Sequence, residues 1–254
     1  MNARAFDGRT ALVTGAGRGI GRAVALGLAA GGAQVAILSR SVDQLDEVAD
    51  ALRTQGTSAL MLVADVSDPT AVAEAATRAL AELGSIDILI NNAAVVQPVG
   101  ATTTVNANEW VGAFATNVIG PFLLTRALLT RMLERQWGRI ANVSSGIVNF
   151  PAAMVGMNAY AASKSALEAH SLNLAAELEG TGVTVNIYRP GSVDTAMQAW
   201  IRNQSADAIG VALRDRFAEN YERGKLLTPE QSAASLLERL AGDSNGEIWS
   251  ASDR

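Results

Sequence analysis

A tyrosine and a lysine stand four residues apart in the segment Tyr160-Ala-Ala-Ser-Lys164. On a helix this spacing places the phenol and the ammonium on one face. An ammonium about 4 Å away, at an effective dielectric constant of about 20, would bring the pKa of Tyr160 from about 10 towards neutrality. The pair therefore predicts a phenol that works as a general acid or base near neutral pH.

The composition narrows the other possibilities for the chemistry. The 254 residues include no Cys and only one His, so a thiol nucleophile and a Cys or His metal cluster are excluded, and we expect no metal. His170 lies six residues after Lys164, about 240° around the helix, and is expected to point away from the Tyr160 face. A net charge of −5 disfavours nonspecific nucleic-acid binding.

Polar residues follow several predicted strands. Ser144 and Ser145 close one strand, Asn91 and its neighbours end another, and the segment 190–195 ends a third. The carboxyl ends of parallel strands share one edge of a sheet, where ligands bind in open α/β folds. A serine hydroxyl there can donate to a substrate carbonyl oxygen.

A glycine-rich segment, Gly15-Ala-Gly-Arg-Gly-Ile-Gly21, follows the first predicted strand and opens a helix. In this context Gly15 permits a tight turn, and Gly19 or Gly21 permits close approach either of a phosphate or of the helix to the strand. The helix N-terminus offers free N–H groups. The segment predicts a dinucleotide-binding loop.

The end of the second predicted strand indicates which dinucleotide is bound. NAD sites place an acidic residue about 20 residues past the loop, but Ser39 and Arg40 stand here, with Arg40 19 residues after Gly21. Both side chains can bind a 2′-phosphate, and Arg18 inside the loop can reach it too. The sequence therefore predicts NADP(H) rather than NAD(H).

Hydrophobic runs of strand type alternate with amphipathic segments of helical spacing, so we predict an α/β fold. Its architecture is a single doubly wound Rossmann-type parallel sheet with helices on both faces, formed by residues 1–254 as one NAD(P)-binding domain. The irregular segment at about 195–227 is interpreted as a substrate lid. The predicted strands are 10–14, 34–39, 59–64, 86–90, 139–143, 183–188 and 247–249, and the predicted helices are 20–30, 42–54, 69–83, 108–135, 159–179 and 229–240.

Targeting signals are not evident. No run of 18 apolar residues is uninterrupted, and residues 1–9 carry three charges without an apolar stretch, so neither a membrane span nor a signal peptide is expected. With no cysteines, this favours a cytoplasmic protein.

Together these motifs resemble the classical short-chain dehydrogenase/reductase family from Thr10 to about Leu240. The pieces that carry the resemblance are Thr14-Gly-x-x-x-Gly-x-Gly21, Asp65-Val66, Asn91-Asn-Ala93, Asn117, Ser145, Tyr160-x-x-x-Lys164 and Pro190-Gly191 to Thr195.

The resemblance implies catalytic roles for four residues. Tyr160 would protonate the carbonyl oxygen during reduction. Lys164 would lower the pKa of Tyr160 and hold the nicotinamide ribose, and Ser145 would polarise the carbonyl. Asn117 would hold a water in a proton relay to Lys164.

The resemblance also implies how the cofactor is held. Asp65 and Val66 would face the adenine, Asn91 and Ala93 the inner ribose, and Val193 and Thr195 the carboxamide. The complete set of expected cofactor-binding residues is Gly15, Arg18, Gly19, Ile20, Gly21, Ser39, Arg40, Asp65, Val66, Asn91, Ala93, Tyr160, Lys164, Pro190, Val193 and Thr195.

The sequence departs from the family pattern at three places. Ala94 replaces the usual glycine of the Asn-Asn-Ala-Gly segment. Ser145 and Tyr160 are 15 residues apart, two more than is common in the family, and the extra residues lie near Phe150 and Met154. The chain ends Trp249-Ser-Ala-Ser-Asp-Arg254 without the familiar Asp-Gly-Gly, which puts one tetramer interface in doubt.

The favoured function is an NADP(H)-dependent oxidoreductase that interconverts a ketone or aldehyde and an alcohol. Its substrate would be a small apolar molecule if the apolar candidates line the pocket; these are Val96, Phe150, Met154, Met157 and Trp200. The helices 108–135 and 159–179 resemble those of the family's main interface. Apolar residues such as Phe122, Leu129, Leu167 and Leu174 would give these helices more than one stripe to bury. We therefore expect a homo-oligomer, either a tetramer or a dimer.

Two alternatives remain open. A 3-oxoacyl-[acyl-carrier-protein] reductase resembles the same motifs, but it needs a basic patch for its acidic carrier. Gln136 and Thr181 stand where such enzymes commonly carry arginine, although Arg131 and Arg135 could compensate. A non-enzymatic NADP-binding regulator is the other alternative, although such proteins tend to lose the tyrosine or the lysine.

Overall fold

The computed structural model describes residues 4–251, which form a parallel sheet between two layers of helices. Its seven strands run in the order β3-β2-β1-β4-β5-β6-β7, and every neighbouring pair is parallel. The strands are β1 (Thr10–Thr14), β2 (Gln34–Ser39), β3 (Ala59–Val63), β4 (Ile88–Asn91), β5 (Gly138–Val143), β6 (Val183–Arg189) and β7 (Ile248–Ser250). The helices are α1 (Gly19–Ala30), α2 (Val42–Thr54), α3 (Pro69–Leu83), α4 (Ala107–Phe114), α5 (Gly120–Glu134), α6 (Asn158–Glu177), α7 (Ala196–Arg202), α8 (Ala206–Ile209), α9 (Val211–Glu222) and α10 (Pro229–Leu240).

The sheet is buried on both faces because successive strand residues point to opposite sides. In β1, Ala11 and Val13 pack with α1, α2 and α10, whereas Leu12 packs with α3, α5 and α6. The doubly wound α/β fold predicted from the alternating pattern is confirmed. That the whole of 1–254 is one domain stays a prediction, since residues 1–3 and 252–254 lie outside the described part.

Two predicted helix starts are confirmed in atomic detail. The Asp68 carboxylate accepts hydrogen bonds from the backbone N–H groups of Thr70 and Ala71, with Pro69 in the first turn of α3. Thr228 and Gln231 form the reciprocal capping box that opens α10. These local signals work because a capped N–H group needs no partner from the rest of the fold.

The helix predicted at 108–135 is continuous but not regular. A π-helical turn, Ala115–Ile119, joins α4 to α5, and such turns are frequent at functional sites. The spacing of apolar residues in the sequence cannot reveal the π-helical turn, because one extra residue in a single turn hardly changes the spacing in the turns on either side.

By length and composition this continuous helix, Ala107–Glu134, could cross a membrane, which the sequence reading did not anticipate. Its buried residues, Leu124, Leu128 and Met132, belong to the core beneath the sheet. The core helix of a soluble protein passes the same test, so the expectation that no segment spans a membrane stays a prediction.

The segment 195–227 contains more regular structure than predicted. Thr195 caps α7 and Ser205 caps α8, each through its hydroxyl, and α9 follows. These helices contribute Ile201, Ile209 and Leu213 to a third apolar core that also contains Tyr160 and Met157. The lid role of this segment stays a prediction.

We predict that Asp87→Ala lowers the free energy of unfolding by about 1–3 kcal/mol, because it leaves buried donors without an acceptor. The Asp87 carboxylate accepts from the backbone N–H of Thr10 at 3.1 Å and from its hydroxyl at 3.2 Å. Urea unfolding measures the change.

Arg135→Ala is the matched control, since it removes the half-exposed ion-pair partner of Asp87 and leaves the Thr10 bonds in place. It should cost less than about 1 kcal/mol. Equal losses in the two variants would contradict the assignment of the stability to the Thr10 bonds.

Candidate active site

A cleft of about 1220 Å³ lies at the carboxyl ends of the strands, over the point where the strand order reverses between β1 and β4. It is lined by residues that follow β1 to β6 and by residues of α7 and α9. This is the position at which open α/β sheets bind ligands. Its volume is enough for a dinucleotide and a small second molecule.

The glycine-rich segment forms one wall of this cleft, as predicted. Gly19 begins α1 with a φ of 56°, in the left-handed region that favours glycine. A Cβ on Gly21 would lie 2.3 Å from the carbonyl oxygen of Gly15. Gly21 does not line the cleft, so its expected contact with the cofactor is corrected, and the other role that the sequence left open for it, close packing of α1 against the turn, is the one that the structure supports.

The N-terminus of α1 carries no side-chain cap. Its first N–H groups are therefore available to an anion in the cleft, which Gly15, Arg18, Gly19 and Ile20 line. Gly17, which the sequence reading did not select, lines it as well.

Cationic and hydroxyl groups gather at the end of β2, where an adenosine ribose is expected. Ser39 and Arg40 line the cleft together with Asp65 and Val66. Arg40, whose side chain is 70% exposed, lies 3.4 Å from the Asp65 carboxylate. Partial burial raises the pKa of Asp65, but the hydrogen bonds from Ser67 and the charge of Arg40 outweigh it, so the pKa lies below its ordinary value.

The catalytic candidates meet on the opposite wall. Tyr160 is 9% exposed, and its hydroxyl shares a hydrogen bond with that of Ser145. The Ser145 oxygen also accepts the N–H of Ile147 at 3.3 Å. Lys164, only 2% exposed, donates to the carbonyl oxygen of Val143 at 2.6 Å. All three line the cleft, as predicted.

The expected lowering of the pKa of Tyr160 by Lys164 is wrong for this structure. Burial raises the pKa of the phenol, and the Ser145 hydrogen bond only partly offsets this. The Lys164 nitrogen is bound to Val143 and lies 5.9 Å from the centre of the phenol ring. Burial also lowers the pKa of Lys164 to about 7, against the opposing charge of Glu168. The spacing argument failed because it included the attraction between the groups but not the desolvation of both.

Asn117 lies in the π-helical turn and is fully buried. Its amide oxygen accepts from the N–H of Val95, and its nitrogen donates to the Val95 carbonyl and the Ser163 hydroxyl. These hydrogen bonds link the segment after β4 to α6. The Asn117 side chain does not line the cleft. The water relay that the resemblance implies stays a prediction.

The expected contact of Asn91 with the inner ribose is corrected. Asn91 is the last residue of β4, and its amide donates to the Asn142 side chain at 2.8 Å beneath the cleft. The next residue, Asn92, lines the cleft and donates to the carbonyl oxygens of Thr14 and Gly15, and Ala93 lies beside it. Successive residues of a strand point to opposite faces of the sheet, so Asn91 and Asn92 are expected to point in different directions. This alternation was the signal in the sequence that could have distinguished the buried asparagine from the one at the cleft.

The last of the expected cofactor residues also lie at the cleft, and their contacts with a cofactor stay a prediction. Pro190, Val193 and Thr195 line the cleft after β6. Val193 forms a parallel bridge with Leu227, which closes the segment 195–227 at its base.

The apolar pocket residues divide into two groups. Phe150, Met154 and Met157 line the cleft, and so does Phe217 of α9. Val96 and Trp200 do not line it and belong to the third core, so their assignment to the pocket is corrected.

Sequence reasoning missed an ion pair behind the catalytic groups. Glu168 and Arg189 lie 2.6 Å apart and are both largely buried, and the Ser144 hydroxyl donates to Glu168. Glu168 follows Lys164 by four residues, so its place on the same helix face was readable. Its partner Arg189 lies on β6, and the spacing of residues in the sequence does not reveal that the two side chains meet.

Comparison with known proteins agrees with this geometry. The family described as short chain dehydrogenase matches residues 9–206. The 2,3-dihydro-2,3-dihydroxybenzoate dehydrogenase of Bacillus subtilis is 34% identical over 244 residues, covering 95% of this chain and 92% of its own length. The 3-oxoacyl-[acyl-carrier-protein] reductase of Escherichia coli is 36% identical over 192 residues, 76% of each chain.

Among solved structures, a short chain dehydrogenase from Burkholderia cenocepacia in complex with NADP superposes with a TM-score of 0.80, at 31% identity over 97% of both chains. The family match, these relatives and the arrangement of Ser145, Tyr160 and Lys164 lead to one conclusion. The chain belongs to the short-chain dehydrogenase family and is an oxidoreductase.

Proposed function

We propose that the protein is an NADP(H)-dependent reductase of ketones or aldehydes, reversible as an alcohol dehydrogenase. The observation that carries the proposal is the hydrogen bond between Ser145 and Tyr160, with the buried Lys164 one helical turn from Tyr160. These residues line the same cleft as the N-terminus of α1, which has no side-chain cap. When bound, NADPH supplies a hydride to the carbonyl carbon.

The residues of this chain supply the proton and the orientation. A phenol whose pKa is raised by burial is protonated at neutral pH, the form that donates to a carbonyl oxygen. Ser145 donates a second hydrogen bond to that oxygen and polarises it. Lys164 stabilises the phenolate that remains after proton transfer.

The residues present fit a dinucleotide. The first N–H groups of α1 carry no side-chain cap, and Gly15, Gly17 and Gly19 leave the adjoining part of the cleft without side chains. Gly15, Arg18, Gly19 and Ile20 would hold the pyrophosphate and adjoining ribose, and Val193 and Thr195 the carboxamide.

The choice of NADP(H) over NAD(H) rests on the charges at the end of β2. No acidic residue ends that strand, and Arg40, Ser39 and Arg18 line the cleft there. Asp65 pairs with Arg40, which leaves the carboxylate less available to a ribose diol. The Burkholderia structure with NADP supports the same choice.

The substrate proposed is a small carbonyl compound with an apolar body, in keeping with Phe150, Met154 and Met157 on the cleft wall. The carrier-protein reductase is less well supported. Arg131 and Arg135, which could have formed its basic patch, are paired with Glu134 and Asp87. Activity on acetoacetyl thioesters against simple ketones separates the two, and NADPH binding with no turnover of either would favour the regulator. A cytoplasmic location stays a prediction.

A homo-oligomer is proposed from the outer face of α5 and α6. Phe122 and Leu172 are exposed there, and Ile119 and Val111 extend the apolar surface along the preceding turns. Leu167 and Leu174 are buried within the protomer and so belong to the inner stripe of α6, whereas Phe122 is left for the outer one. Leu129 packs against the core and is also a poor interface candidate.

We predict that Tyr160→Phe lowers kcat by more than tenfold, equivalent to about 1.4 kcal/mol, and leaves the NADPH Kd within a few-fold. The phenol is needed only in the chemical step. NADPH absorbance measures turnover and NADPH fluorescence measures binding. Tyr221→Phe, an exposed tyrosine outside the cleft, is the control. A Tyr160→Phe enzyme with a tenth or more of the wild-type kcat would remove Tyr160 as the acid.

We predict at least a tenfold preference for NADPH over NADH in kcat/KM, since one charge-assisted hydrogen bond contributes about 1.5–3 kcal/mol. Arg40→Asp should reverse the preference, and Arg18→Ala should weaken NADPH binding with little effect on NADH. Arg53→Asp, a charge reversal on α2 outside the cleft, controls for general charge effects. Equal efficiency with both cofactors in the wild type would contradict the placement of the 2′-phosphate.

We predict a dimer or tetramer by light scattering at micromolar concentration, and a shift to smaller species in Phe122→Asp. The substitution places a charge in the proposed contact, where burial is unfavourable. Val63→Asp at the end of the edge strand β3 is the matched control on another face. A wild-type monomer rules out the proposal.

A further inference from the structure

A buried carboxylate lies behind the catalytic lysine and has no role in the mechanism so far. Glu168 is 5% exposed. Its Oε1 accepts from the Ser144 hydroxyl at 2.6 Å and from Arg189 Nε at 2.8 Å, and its Oε2 accepts from Arg189 Nη2 at 2.6 Å. The two parallel bonds from Arg189 are the bidentate arrangement that holds a carboxylate most firmly.

This carboxylate joins the three elements that carry the catalytic groups. Glu168 lies on α6, one turn after Lys164 and two turns after Tyr160. Ser144 precedes Ser145 at the end of β5, and Arg189 is the last residue of β6. A shift of Glu168 would therefore disturb both Ser145 and Lys164.

The charges around Lys164 oppose one another. Burial lowers the pKa of Lys164 to about 7, and the charge of Glu168 acts in the opposite direction. The charged and titratable groups that face Glu168 are Lys164 on its own helix, with Tyr160 one turn beyond, and Arg189 from β6. Ser144, which directly follows β5, contributes a hydroxyl. Glu168 thus supplies the negative charge that favours the ammonium form.

We propose that Glu168, held by Arg189 and Ser144, is a positioning residue that keeps Lys164 charged and Ser145 in place during catalysis. The inference rests on the proposed function. Arg189 holds the carboxylate at a fixed place, and in doing so it offsets part of its charge.

The sequence makes a direct measurement possible, because the chain contains only two lysines, Lys164 and the exposed Lys225. In protein labelled with ¹³C at the lysine Cε, the two resonances can be followed against pH, with Lys225 as internal reference. In Glu168→Gln the titration midpoint of Lys164 should fall by about one pH unit or more, because an opposite charge that favoured the ammonium has been removed.

Glu168→Asp is the conservative control. It retains the negative charge, so the Lys164 midpoint should stay near that of the wild type even if kcat falls. The double variant Glu168→Gln/Arg189→Gln removes both charges and avoids an unpaired buried arginine. The titration midpoint of Lys164 in the double variant should lie between the midpoints in Glu168→Gln and in the wild type. A mere loss of packing does not predict this order of the three proteins.

Turnover provides the second readout. With NADPH and a simple ketone, the loss of activity at high pH should move to lower pH in Glu168→Gln and remain in place in Glu168→Asp. If Glu168→Gln does not fold, the double variant and Glu168→Asp carry the comparison.

An unchanged Lys164 midpoint in Glu168→Gln, or equal shifts in the Gln and Asp variants, overturns the inference. A wild type that reduces no carbonyl compound overturns the proposed function instead, and the NMR titration still decides whether Glu168 holds the charge of Lys164.

Discussion

The active site depends on the burial of one ammonium group. A lysine nitrogen removed from water loses its hydration, and this loss favours the neutral amine. The structure offsets it with the carbonyl oxygen of Val143 and with the charge of Glu168. A buried carboxylate needs a partner in turn, and Arg189 provides it. The positions of β5, β6 and α6 are thus coupled through one chain of polar contacts.

The apolar packing keeps this polar chain in register. Because β5 and β6 are parallel neighbours inside the sheet, their carboxyl ends lie side by side, with Val143 opposite Tyr188. Core residues above and below the strands hold that register. In the third core Tyr160 packs with residues of the helices in segment 195–227, so the phenol and this side of the cleft belong to one packed cluster.

The two ends of the cleft carry ion pairs of different exposure. At the adenosine end, Arg40 and Asp65 form an exposed pair that solvent screens and that a phosphate can compete for. At the catalytic end, Glu168 and Arg189 form a buried pair that is weakly screened and geometrically defined. The exposed pair of Arg40 and Asp65 can therefore open when a ligand binds, whereas the buried pair of Glu168 and Arg189 keeps the side chains around it in a fixed geometry.

The sequence by itself determined the alternation of strands and helices, the glycine turn before α1 and the caps at Asp68 and Thr228. These features follow from local rules of spacing and capping. The meeting of Ser145 with Tyr160 and Lys164 was implied by the resemblance to a family. Only the tertiary structure decided that Asn91 lies beneath the cleft while Asn92 lines it, which of its two possible roles Gly21 has, and that burial raises the pKa of Tyr160. It also decided that Arg189 reaches Glu168 across 21 residues of sequence. Desolvation and long-range pairing depend on which elements enclose a group, and the spacing of residues along the chain does not contain that information.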